Sequence, residues 1–151
     1  MYNEMVLQHF NNPRNVGEIE NADGIGIYMS EFCGDITKFW IRIKENRIIE
    51  ATYRTKGCAA SIACGSILTE LVKNLNIEEV LMITKNHILS ALKGLPEKKI
   101  HCSVLADDAL KDAIRDYLSR NLFPVPTELV EKQEKIKPLL KKMKERGQIL
   151  I

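Results

Sequence analysis

From Thr55 to Ser66 the chain reads TKGCAASIACGS, and at Gly57 the spacing of its apolar residues changes from every second position to every third or fourth. That change of period is the strongest constraint on the fold, because a strand and a helix present their buried faces at different intervals. Upstream, Gly24 to Phe32, Ile36 to Ile43 and Arg47 to Thr55 are rich in β-branched and aromatic residues. The middle run alternates Phe39, Ile41 and Ile43 against Lys38, Trp40 and Arg42, which predicts one buried face and one facing water. KENR, between the last two runs, suits a tight hairpin. Downstream the patterns are helical. Strands followed by helices predict an α+β fold: a small three-stranded antiparallel sheet covered by helices on one face, with a C-terminal amphipathic helix.

The first helix after the sheet carries Ala60, Ala63, Cys64, Ile67 and Leu71 on one stripe. Six residues separate Cys58 from Cys64, about 240° around a helix, so the two thiols point apart and Cys64 reads as a small core residue. Two short helices are expected over Ile77 to Ile83 and Thr84 to Leu92, with His87 an ordinary helix residue. A longer one follows, with Ser103 as its N-cap and a stripe of Ala106, Ala109, Leu110, Ala113, Ile114, Tyr117 and Leu118. Before the sheet, Tyr2 to Phe10 predicts a short mobile or docking helix on Tyr2, Met5, Val6 and Phe10. His9 has no special role there, and NNPRNVGEIENADG reads as a surface loop.

LFPVPT breaks the pattern and divides the chain into a main domain, residues 1–124, and a tail, residues 125–151. The tail has Leu129, Val130, Ile136, Leu140 and Met143 on one face and is interrupted or restarted at Pro138. Its seven basic and four acidic side chains give +3, which leaves −1 on the main domain of a chain whose total is +2. A basic helix docked on its own domain and one offered to a partner are both compatible with that balance. No basic stripe interleaved with aromatics points to nucleic acid. No apolar run of about 18 residues points to a membrane, and MYNEMVLQHF lacks the features of a signal peptide, so a cytoplasmic protein is expected. Four cysteines are too few for a secreted disulfide framework, which leaves metal or sulfur chemistry as their natural use.

Cys33, in EFCGD, lies between two strand runs with Asp35 two residues on; Cys58 sits on the strand-to-helix corner; Cys102 follows His101 at a helix start. A thiol in a first helical turn faces unpaired N–H groups and the positive end of the helix dipole, which favours its thiolate. Three soft ligands with Asp35 or His101 as a fourth would complete a tetrahedral shell suited to zinc or to an iron of an iron–sulfur cluster. A cysteine nucleophile and unrelated core thiols are the competing readings. A thiol hydrolase would need Cys102 activated by His101, and adjacent residues rarely present side chains to each other.

NPRNVG, CGD, KGCAASIA, TELVK and KKIHCSVLADDA, taken in order over roughly residues 2 to 120, resemble the IscU/NifU family of iron–sulfur cluster assembly scaffolds. The resemblance implies an α+β fold and a [2Fe–2S] cluster built transiently from iron and desulfurase-derived sulfur, then passed to apo-proteins. It implies a scaffold, not an enzyme with turnover of its own. Cys33, Cys58 and Cys102 fall on its ligand positions, Asp35 on the labilising aspartate, and His101 and Lys99 on the histidine and lysine beside the site. Cys102 also falls on the acceptor of persulfide sulfur from a cysteine desulfurase, and Tyr2 on a tyrosine implicated in homodimer formation. Chaperones are a further partner class, but LPEKK, Leu95 to Lys99, departs from the LPPVK that a dedicated chaperone reads. The family gives Cys64 no role, and the tail lies beyond its minimal domain. The short interval from Cys58 to Cys102 is unlike the zinc-dependent SufU branch. A zinc-bound sulfur acceptor that activates a desulfurase is the alternative function.

Overall fold

The computed structural model describes residues 1–31 and 34–147, so Phe32 and Cys33 lie outside the described residues. Strands β1 (Gly24–Met29), β2 (Ile36–Lys44) and β3 (Arg47–Lys56) form one antiparallel sheet in the order β1-β2-β3. KENR is a two-residue hairpin whose central residues, Glu45 and Asn46, both have positive φ, at 52° and 63°. This is the handedness that matches strand twist. A register shift between Arg42 and Ile43 places Ile43 opposite Ile48.

Six α-helices are present among the described residues. Helix α1 (Glu4–Asn11) precedes the sheet, and α2 (Ala59–Val72) leaves β3 through Gly57. Two short helices, α3 (Ile77–Leu81) and α4 (Lys85–Ala91), are each closed by a capping box, with the His87 imidazole serving as the second half of the α4 box. A single 3₁₀ turn, Glu97–Lys99, leads into the long α5 (His101–Arg120), and α6 (Thr127–Glu145) runs without a break through Pro138. The α5 stripe is buried as its spacing predicts from Ala106 to Ile114, with Tyr117 and Leu118 partly buried. Its start differs. Ser103 is inside the helix, its hydroxyl donating to Ile100 O at 2.6 Å, and no side chain caps the N-terminus.

Helices α2 and α5 cover the face of the sheet that carries Phe39, Ile41 and Tyr53. The approach of α5 to β1 is backbone to backbone: a Cβ at Gly26 would overlap the Ala113 nitrogen and the Ala109 carbonyl. That proximity lets α5 satisfy the outer edge of β1. Ile25 N–H donates to Asp116 Oδ2 at 2.8 Å and Ile27 N–H to Asp112 Oδ2 at 3.0 Å, so the edge has no free donors at these positions to template another strand.

Five expectations change. Helix α2 is buried nearly all round, not along one stripe, because α1 packs on its far side. Helix α1 buries Val6 and His9 and leaves Phe10 exposed, since its N-cap Asn3 ties it to α4 by donating to Leu92, Lys93 and Gly94 carbonyls. His9 is therefore structural: its Nδ1 lies 2.7 Å from Ser66 Oγ and 3.1 Å from an Arg14 guanidinium nitrogen. A guanidinium only donates, so Nδ1 accepts and the ring is neutral; burial accordingly lowers its pKa. The NPRNVG loop is a second edge seal, with Tyr53 N–H donating to Asn15 O and Gly17 N–H to Tyr53 O. Finally, the outer face of the sheet is not wholly wet, because Trp40 is covered by Ile19, Ala22 and Ile25.

Helix α6 is docked on its own domain. Leu129 and Ile136 are buried, Leu139, Leu140 and Met143 partly so, while Val130 is exposed. Lys132 Nζ pairs with Asp108 at 2.8 Å and Lys135 Nζ with Glu31 at 3.8 Å. No helix among the described residues is long and apolar enough to cross a membrane.

Candidate metal and sulfur site

The site forms where three element ends meet. Cys58 is the N-cap of α2, Cys102 lies in the first turn of α5, and Asp35 ends the β1–β2 connection, where Ser30 N–H donates to its carbonyl at 2.8 Å. One ligand atom each from Asp35, Cys58 and Cys102 lies within 4.8 Å of the others, close enough for one metal ion to span. The Cys58 and Cys102 sulfurs are 3.8 Å apart. Cys33 lies outside the described residues. The other predicted residues gather here. His101 Nε2 is 3.7 Å from Cys102 Sγ, so the histidine lies beside the thiol. Tyr2 reaches the same thiols, its phenol pKa raised by burial and by the charge and hydrogen bond of Cys58. Lys99, on the 3₁₀ turn, has its pKa raised by Cys58 first, then by Tyr2, Cys102 and Asp35, so a cation faces the cluster of sulfur and oxygen. Cys64 is a fully buried core residue, its thiol pushed well above its ordinary pKa by burial first and then by the charges of Cys102 and Cys58.

The two site thiols differ, although both begin helices. Burial alone would raise Cys58, but hydrogen bonds from the Ser61 backbone and hydroxyl, from Cys102 and from the Ala60 backbone outweigh it and bring its pKa below the usual value. Cys102 is the reverse: burial pushes it up to about 12, and the negative charges of Cys58 and Asp35 add to that. The helix-start argument thus holds for Cys58 and fails for Cys102, where desolvation exceeds the dipole. It also removes a His101-activated nucleophile, which would need the opposite shift. A cation arriving between these groups would supply the charge that lets both thiols ionise.

Two residues take part in the site without an expected role there, Gly57 having marked only the change of period. Ser61 Oγ donates to Asp35 Oδ2 at 2.9 Å and lies 3.8 Å from Cys58 Sγ. Gly57 leaves room for that contact, since a Cβ there would stand 2.6 Å from Asp35 Oδ2 and 3.0 Å from Ser61 Cβ. The available signal was position: Ser61 is three residues past an N-cap, where a side chain returns to the cap.

The model of the family described as NifU-like N terminal domain matches residues 1–123. The chain is 50% identical over 121 residues to "Iron-sulfur cluster assembly scaffold protein IscU 1" of Archaeoglobus fulgidus, covering 80% of this chain and 79% of that one. It is 46% identical over 121 residues to the IscU scaffold protein of Aquifex aeolicus, covering 79% and 77% respectively. Among solved structures, the N-terminal part of a NifU-like protein from Brucella abortus superposes with a TM-score of 0.64 at 18% identity, over 78% of this chain and 94% of that one, a likeness of fold.

Proposed function

This chain belongs to the NifU-like N-terminal domain family as an IscU/NifU-type iron–sulfur cluster assembly scaffold, and from that premise we propose that it assembles a [2Fe–2S] cluster as cargo on Cys33, Cys58 and Cys102 and passes it to apo-proteins. The observation that carries the reading is the meeting of Asp35, Cys58 and Cys102 within 4.8 Å at the ends of three separate elements. Two thiols and a carboxylate are a donor set of mixed softness, and the carboxylate oxygen is the poorer match for a soft iron. Such a site holds its cargo and also has a weak point from which to release it. Asp35 fills that role, with His101, 3.7 Å from Cys102, as a replacement ligand. Lys99 offsets the negative charge that collects as thiolates form.

In this reading sulfur arrives from a cysteine desulfurase as a persulfide on Cys102. The buried thiol reacts only when docking or metal arrival relieves the desolvation that keeps it protonated. Residues 1–124 form the scaffold unit, and α6 is an addition packed onto it.

Anaerobic reconstitution with ferrous iron, cysteine, a desulfurase and a dithiol reductant, which supplies the electrons that convert persulfide sulfur to sulfide, tests the proposal. The wild type is expected to gain the visible absorbance of a [2Fe–2S] cluster, and Cys33→Ser, Cys58→Ser and Cys102→Ser to lose most of it. Mass mapping before iron and reductant are added should place the extra sulfur on Cys102. A folded wild type that binds zinc but develops no visible absorbance would refute the cluster reading in favour of a zinc-bound sulfur acceptor.

A further inference from the structure

We propose that Ser61 is the positioning residue for Asp35, holding its carboxylate at the N-terminus of α2 so that it faces the thiols with one oxygen already committed. The inference rests on the scaffold reading for its consequence, but its geometry stands by itself. Ser61 is buried, and its hydroxyl donates to Asp35 Oδ2 at 2.9 Å, toward the long end of the range for an O–H donor and much closer than its 3.8 Å contact with Cys58 Sγ. The same oxygen faces Cys58 N–H at 3.5 Å, a longer contact that aligns it with the open end of α2. Gly57 is the counterpart: any side chain there would enter the space between the carboxylate and Ser61. Strand β3, the turn and α2 thus cooperate to fix a side chain that belongs to the β1–β2 connection.

An aspartate on a loop has two free torsions and would sample many orientations. With Oδ2 tied to Ser61, that oxygen is less available to incoming metal, which favours single-oxygen contact over a bidentate grip. Ser61 therefore tunes how weakly Asp35 holds the cargo while making no bond to it.

The test compares Ser61→Ala, Ser61→Thr, Asp35→Ala and the double variant Ser61→Ala/Asp35→Ala with the wild type. Two readouts are followed: the decay of cluster absorbance in air, and the shift of the Cys58 amide proton resonance of the metal-free protein on Asp35→Ala, with Ser61 intact and with Ser61→Ala. Ser61→Ala should lengthen the cluster lifetime several-fold, and Asp35→Ala should do the same. Ser61→Thr, which keeps the hydroxyl, should restore the wild-type value. The double variant should match Asp35→Ala, because the effect runs through the 2.9 Å bond to that carboxylate and not through the longer 3.8 Å contact of Ser61 with Cys58 Sγ. A wild-type lifetime in Ser61→Ala, or effects that multiply in the double variant, would overturn the proposal. If no variant takes up a cluster, the scaffold reading fails but the amide readout still decides. A shift on Asp35→Ala that is present with Ser61 intact and lost with Ser61→Ala supports positioning; an unchanged shift refutes it.

Discussion

Replacing Cys64 by alanine separates a core thiol from a ligand, with two magnitudes that the structure sets. Cys64 is fully buried on α2 among apolar neighbours. Removing its sulfur forfeits the transfer free energy of about one methylene-sized group, roughly 0.8 kcal/mol. A cavity of about 25 Å³ adds roughly 0.6 kcal/mol at the usual cost per unit volume. The expected loss is therefore about 1–1.5 kcal/mol. With a urea m-value of about 2 kcal/mol/M, the unfolding midpoint should fall by roughly 0.5–0.7 M, and Tm by about 3–5 °C. Cys64→Ser puts a hydroxyl in the same apolar slot and should cost about 1–3 kcal/mol. Cluster absorbance per folded molecule should be unchanged in both, since the Cys64 side chain is fully buried in the core and burial raises its pKa. The assay is urea unfolding of the metal-free protein beside reconstitution of the same preparations. A Cys64→Ala protein that stays folded but fails to hold the cluster would show that the site extends into the core, and unchanged stability would show that the packing argument is wrong.

Two further predictions concern the scaffold that carries the site. Asp107 is held by Lys111 at 3.1 Å, its Oδ1 is buried without a partner, and burial pushes its pKa up from 3.8 to about 6. A raised carboxyl pKa contributes stability that is fully present below pH 3.8 and lost as pH rises through about 6, a displacement worth roughly 3 kcal/mol. Asp107→Asn should therefore stabilise the protein at pH 7 by about 1–2 kcal/mol once the weakened Lys111 contact is allowed for, and flatten the stability curve between those values; urea midpoints that fall at pH 7 would contradict this. Gly26→Ala should cost more than about 3 kcal/mol, because its Cβ overlaps α5 backbone that cannot rotate away. An alanine variant within about 1 kcal/mol of the wild type would mean that α5 moves off β1 freely.

What the sequence determined by itself is what depends on local spacing. The alternation of the middle strand holds at Phe39 and Ile41 but not at Trp40, which is buried. The two-residue turn at Glu45 and Asn46, the switch of period at Gly57 and the α5 stripe each arise from neighbours a few residues apart, and the structure keeps them. So does the placement of Cys58 and Cys102 at helix starts, and the run of motifs that marks the family. Only the tertiary structure decided which side chains share a volume and how dry that volume is. His9 carries no periodic signal that separates it from an exposed histidine, yet it is buried because Ser66 and Arg14 arrive from elsewhere in the chain. The thiols of Cys58 and Cys102 have the same local setting and opposite shifts, because desolvation sums over everything packed nearby while the helix dipole acts within one turn. The Asp35–Ser61 contact joins residues 26 apart across a strand and a turn, a distance that neither spacing nor propensity encodes. Local pattern chooses elements, and packing of those elements sets the contacts and the dielectric on which the chemistry depends.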